Sequence, residues 1–185
     1  MQRVLLGLGS NRTYNSHSPY QLLSFARKEL TGLLSDCRFS SVYKTPAMYV
    51  TDQEDFYNMT AIGYAPNDAD PFQFLKKINE IEAKYGRDRS KEIRFGPRTL
   101  DIDIELFGEH KVNTEILQIP HIRMEERAFV LVPALEILTD SADELIRKKY
   151  LLCLEKLQKE GKAEGIEKLP DSFKAVENGK VRHIN

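Results

Sequence analysis

RFGPRTLDIDIELFG, Arg94 to Gly108, sets two aspartates one residue apart in a run otherwise dominated by isoleucine, leucine and phenylalanine. In a β-strand alternate side chains share a face, so Asp101, Asp103 and Glu105 are expected to point one way and Ile102, Ile104 and Leu106 the other. The apolar set belongs in a core. The acidic set gathers two or three carboxylates close together, which raises their pKa values or costs stability unless a cation lies between them. Mg²⁺ suits such a place, because it takes oxygen ligands and commonly uses one or two carboxylates plus substrate phosphates. An acidic strand face open to water, blunting a sheet edge, is the simpler use of the same pattern. The residues upstream favour the first use, although such a loop can be merely solvated and Arg98 could simply pair with Asp101: Arg87, Arg89, Arg94 and Arg98 bring a basic loop into the acidic strand. Guanidinium groups match phosphate oxygens bidentately, and metal plus arginine neutralises a transferring phosphoryl group. The stretch therefore reads as a Mg²⁺-polyphosphate site.

Working outward, Arg3 to Leu8 reads as a first buried strand ended by GSN, and SPYQLLSFARKELTGLL as a helix opened by Ser18 and Pro19. FSSVYKT has the β-branched and aromatic content of a strand, PAMYVTDQED is a polar connection, and FYNMTAIGY is another strand. Asp70 and Pro71 open a second helix that runs through IEAKYG, with Phe74, Leu75, Ile78 and Ile81 on one face and Gly86 as C-cap. RDRSKEIRFGPR is then a charged loop before LDIDIELFG. The order strand, helix, strand, strand, helix, strand predicts an α+β, ferredoxin-like βαββαβ core with both helices on one face of an antiparallel sheet. FVLVPALEI reads as an extra strand, and Ser141 to Lys159 as an extra helix. Residues 1–158 are thus expected to form one domain, and 159–185, which lose apolar periodicity, a polar appendage or partly disordered tail.

The chain's 185 residues suit one domain, and a formal net charge of −1 provides no overall field for nucleic acid or anionic lipid. Any anion site must be local. Cys37 and Cys153 lie far apart without metal-ligand spacing, which points to buried free thiols. VLLGLG is too short for a secretory signal and no later apolar run could span a bilayer, so a cytoplasmic protein is expected. No G-x-x-x-x-G-K-[ST] loop is present, and GLGSN lacks the full dinucleotide fingerprint and reads as a strand-ending turn.

RFGPRTLDIDIELFG closely resembles the signature of the 6-hydroxymethyl-7,8-dihydropterin pyrophosphokinase family of the folate pathway. GLGSN, SSVYKTPAMYVTDQEDFYN, IEAKYGR and VNTEILQIPHIRMEERAFVLVPALEI resemble it in the same order, from Val4 to Leu157. The resemblance implies transfer of pyrophosphate from ATP to the pterin hydroxymethyl group, giving AMP. It implies that Asp101 and Asp103 hold two Mg²⁺ ions with ATP bound, and that Arg87 and Arg98 are catalytic clamps on the phosphates. Glu82, Arg87, Arg98, His121 and Arg127 would serve the ATP site. Thr45 and Pro46 would read the pterin through the backbone, Asn58 through its side-chain amide, and Phe56 and Phe129 would sandwich the ring. Taken singly, His121 after a proline, Glu82 on a helix and two phenylalanines all have commoner structural uses.

Departures accompany the match. Position 56 is Phe where many members carry Tyr, position 95 is Phe where some carry Trp, Ser90 stands where a basic residue is often seen, and the loop from Arg87 to Arg98 is slightly longer. The two loops flanking the site are expected to close over the nucleotide. A monomer is expected, with ATP and the pterin as partners and no nucleic acid or membrane. An RNA-binding sheet is disfavoured because its basic-glycine-aromatic run is missing. A different Mg²⁺-dependent nucleotidyl or phosphoryl transferase on the same fold is the remaining alternative.

Overall fold

QRVLLGLGS forms β1 (Gln2–Ser10), buried continuously from Val4 to Ser10, as suits a central strand covered on two faces. The computed structural model describes residues 1–48, 52–91 and 96–170. Helix α1 (Pro19–Leu30) starts where the sequence places it: Ser18 and Gln21 form a reciprocal capping box and Pro19 occupies the first turn. Asp70 caps α2 (Pro71–Lys84) by accepting the Gln73 N–H at 2.9 Å, and Gly86 follows its end at φ +87°. Each helix buries one apolar stripe against the sheet.

The expected FSSVYKT strand begins earlier and is interrupted. Strands β2 (Ser35–Phe39) and β3 (Tyr43–Thr45) both pair antiparallel with β4 (Phe56–Ala65). Between them Ser40 replaces regular pairing: its N–H donates to the Thr60 carbonyl at 3.0 Å and its hydroxyl accepts the Thr60 N–H at 2.9 Å. Strand β5 (Asp101–Phe107) closes the core on the other side of β1, giving the order β5-β1-β4 with β2 and β3 beyond. This is the α+β ferredoxin-like arrangement. Val4, Leu6 and Leu8 of β1, Ile102 and Ile104 of β5, and the stripes of α1 and α2 form one apolar cluster.

The extra strand expected at FVLVPALEI is instead α3 (Ala128–Ile137). Ala128, Val130, Leu131, Pro133, Ala134 and Ile137 are all buried, so the segment, Glu136 apart, is apolar and carries neither the twofold nor the 3.6-residue period that separates strand from helix. With α4 (Glu144–Lys159) it covers part of the opposite sheet face in a second cluster that includes Leu5, Ile62 and Tyr150. A short ribbon, β6 (Val112–Asn113) and β7 (Gln118–Ile119), occupies the stretch before His121. Of the polar appendage, Glu167–Lys168 forms β8 on the outer edge of β3, and residues 171–185 lie outside the described residues. Cys37 and Cys153 are free and half-buried rather than buried. Among the described residues no helix is long and apolar enough to cross a membrane.

Candidate active site

The face of β1 that carries Leu5 also carries Gly7 and Gly9, and α3 and α4 cover only the Leu5 end. Over the glycines lies a cleft. Asp101 and Asp103 of β5 lie on one side of the glycines and Thr45, Phe56 and Asn58 of β3 and β4 on the other, with Pro46, Arg98, Arg127 and Phe129 completing the lining. Nine of the twelve residues singled out in the sequence thus converge on one cleft. Glu82, Arg87 and His121 stand behind its acidic side.

Asp101 and Asp103 are partly exposed, at 24% and 35% of their side-chain surface, and each is met by arginine. Arg87 donates to Asp101, Arg98 lies 3.4 Å from it, and Arg127 donates to Asp103 at 2.9 Å. The Arg127 guanidinium also sits 5.6 Å from the Phe129 ring centroid. Glu82 lies outside the cleft and is buried. Its carboxylate accepts from Arg87, from Arg89 at 2.6 Å and from the Ile102 N–H at 2.8 Å. It therefore ties the end of α2 to the start of β5 and holds Arg87 against Asp101.

His121 has Nε2 4.0 Å from Asp103 and Nδ1 3.7 Å from Glu105. Its Nδ1 accepts the Arg123 N–H at 3.3 Å, which leaves the proton on Nε2. Burial lowers its pKa, partly opposed by Asp103, and Nε2 faces the Asp103 side.

The expected alternation along β5 holds through Glu105, which lines the cleft with Asp101 and Asp103, and fails at Leu106. Leu5 is opposite Leu106 and Leu6 is opposite Ile104, so Glu105 is the extra residue of a β-bulge. The bulge turns Leu106 away from the face of Ile102 and Ile104, to pack on the second cluster. Glu105 is fully buried, and neither carboxyl oxygen has a hydrogen-bond partner among the described residues. Burial, then the neighbouring Asp103 charge, pushes its pKa well above the usual carboxyl range. Gly7 makes the room, since a Cβ there would lie 2.7 Å from Glu105 Oε1.

On the other side, Asn58 Nδ2 donates to Thr45 Oγ1 at 2.8 Å, which fixes its amide and leaves Oδ1 near Gly9. Sequence reasoning missed Asn11. This buried side chain accepts the Arg98 N–H at 2.8 Å and donates to Gln53 Oε1 and the Glu54 carbonyl, both at 3.1 Å. It joins the backbone of the arginine to the loop opposite. The only signal was its place in GLGSN, read as a turn. Arg94 and Phe95, and residues 49–51 of the other flanking loop, lie outside the described residues.

The sequence model of the 7,8-dihydro-6-hydroxymethylpterin-pyrophosphokinase family matches residues 5–139. The chain is 37% identical over 132 residues to a 2-amino-4-hydroxy-6-hydroxymethyldihydropteridine pyrophosphokinase of Bacillus subtilis, covering 71% of this chain and 75% of that one. It is 36% identical over 142 residues to the enzyme of the same name from Haemophilus influenzae, covering 76% and 84%. The mitochondrial folate synthesis bifunctional protein of Pisum sativum is 35% identical over 142 residues, which is 77% of this chain but 26% of that protein. The chain thus spans about a quarter of the pea protein. A crystal structure of an HPPK-DHPS in complex with substrates superposes with a TM-score of 0.62 at 13% identity, over 91% of this chain and 48% of that chain; at that identity the likeness bears on the fold alone. With the family match spanning most of β1 to α3, the chain belongs to the 7,8-dihydro-6-hydroxymethylpterin-pyrophosphokinase family.

Proposed function

We propose that the protein transfers pyrophosphate from ATP to the hydroxymethyl group of 6-hydroxymethyl-7,8-dihydropterin, giving AMP and the pterin diphosphate. The observation that carries this reading is one cleft lined both by partly exposed carboxylates and arginines and by aromatic rings with a fixed amide. The rings and the amide suit a flat heterocycle with an alcohol, and the charged groups suit a polyphosphate.

The donor set suits Mg²⁺. Asp101 and Asp103 offer hard oxygen donors at adjacent positions of one strand face, partly open to the cleft, and among the described residues no ready-made group of three or more ligands is present. That is the pattern of an ion held by one or two carboxylates together with substrate phosphates. Bound there, Mg²⁺ would neutralise phosphate charge and lower the pKa of the acceptor hydroxyl. Arg87, Arg98 and Arg127 already surround the two aspartates, so a bound polyphosphate would meet guanidinium donors, that of Arg87 held by Glu82 and the backbone of Arg98 held by Asn11. His121, with Nε2 on the Asp103 side, would donate from Nε2 to a phosphate oxygen. Asn58, with Nδ2 held by Thr45, would present an oriented amide to the pterin edge between Phe56 and Phe129.

The purified chain incubated with ATP, Mg²⁺ and the pterin, followed by mass-resolved chromatography, tests this. AMP and pterin diphosphate should appear together and require both metal and pterin. ADP with a pterin monophosphate, or binding of ATP without any pterin product, would move the reading to another transferase.

A further inference from the structure

The Thr45–Pro46 corner of the cleft is braced from outside by chain that lies beyond the family match at residues 5–139. We infer that residues 161–168, which follow α4, are a positioning element for the pterin-reading corner; this rests on the pterin reading proposed above. Strand β3 is only three residues long and pairs with β4 on one side. Strand β8 supplies its other side, with Lys168 opposite Tyr43 and Glu167 opposite Lys44, and the Leu169 N–H donates to the Val42 carbonyl at 2.9 Å.

One carboxylate gathers the parts. Glu136 of α3 accepts the Ser41 N–H at 3.0 Å, the Ser41 hydroxyl at 2.8 Å, the Tyr43 hydroxyl at 2.9 Å and Lys168 Nζ at 3.1 Å. Gly165 then lies against the Pro46 ring itself. At φ +70° it holds a backbone that other residues adopt with strain, and a Cβ would stand 2.8 Å from Pro46 Cγ and 3.0 Å from Cδ. Ala163 and Ile166 pack on the second apolar cluster and anchor the segment. Pro46 therefore has the cleft on one side and Gly165 on the other. Thr45, next to it, holds the Asn58 amide. A displacement of this corner would reach the acceptor and leave the Asp101–Arg98 wall in place.

A segment that merely covered the edge of β3 would affect stability alone, and the full chain distinguishes the two roles. Gly165→Val should raise KM for the pterin about tenfold, since small misplacements of an acceptor are costly, with KM for ATP unchanged. Lys168→Ala, an exposed change that leaves the backbone intact, should act in the same direction with a smaller effect, and it decides the matter should Gly165→Val fail to fold. Hydrogen exchange at residues 43–47 should quicken in either variant, a readout independent of turnover. Unchanged exchange, or KM values for pterin and ATP that rise together, would overturn the inference. Wild-type protein without pterin turnover would count against the functional reading and leave the exchange result to judge the brace.

Discussion

The two faces of the central sheet use the same strands and end in opposite states. On one, Val4, Leu6 and Leu8 of β1 and Ile102 and Ile104 of β5 are sealed under α1 and α2. On the other, α3 and α4 seal Leu5 and Ile62 and stop short, so Gly7, Gly9, Asn58, Asp101 and Asp103 line a cleft. Residues one position apart on β5 thus serve stability and chemistry separately. The proposed chemistry depends on the uncovered part: glycines that let a ligand approach the backbone, and carboxylates that keep some contact with solvent.

Substitutions on β5 should break along that division. Asp101→Ala or Asp103→Ala should lower turnover by about 10²–10³-fold or more, the scale of losing a principal charge-stabilising group, with little change in thermal midpoint. AMP release and a melting curve on the same sample check both halves, and retained turnover in both variants would remove the metal-site argument. Ile104→Ala should do the reverse, costing about 2–5 kcal/mol in denaturant unfolding while folded molecules keep their kcat. Arg98→Ala should lower kcat more than it weakens ATP binding, which single-turnover rates and equilibrium titration separate.

Glu105 is the smallest and sharpest case, because it lies where the alternation breaks. Its folded pKa is raised, so the fold favours the neutral carboxyl; that stability is fully present below the ordinary carboxyl value and is lost as pH rises through the folded one. Glu105→Gln stays neutral throughout. Relative to wild type, its thermal midpoint should gain between pH 5 and pH 8, by about 2–4 °C per kcal/mol for a chain of this size. A difference that stays constant across that range would contradict the account.

Much of this division was legible in the sequence where local chemistry sets structure. Ser18 with Pro19 and Asp70 with Pro71 mark helix starts through their own caps, and the apolar stripe of α2 has a helical period. The aspartate and arginine pattern likewise placed Asp101, Asp103 and Arg98 together. What escaped depends on contacts distant in sequence. Apart from Glu136 α3 is apolar throughout, so no period distinguished it from a strand. The Glu105 bulge is set by register against β1, and Ser40 interrupts the edge strand through its bond to Thr60. Asn11 acts on Arg98, 87 positions away, a pairing no local pattern contains.

The most direct measurement of the central claim follows the phosphorus atoms. With ATP labelled separately at the β and the γ phosphorus, the account predicts that both labels enter the pterin product in equal amounts and that the released nucleotide is AMP. Label from the γ position alone, with ADP released, would contradict it.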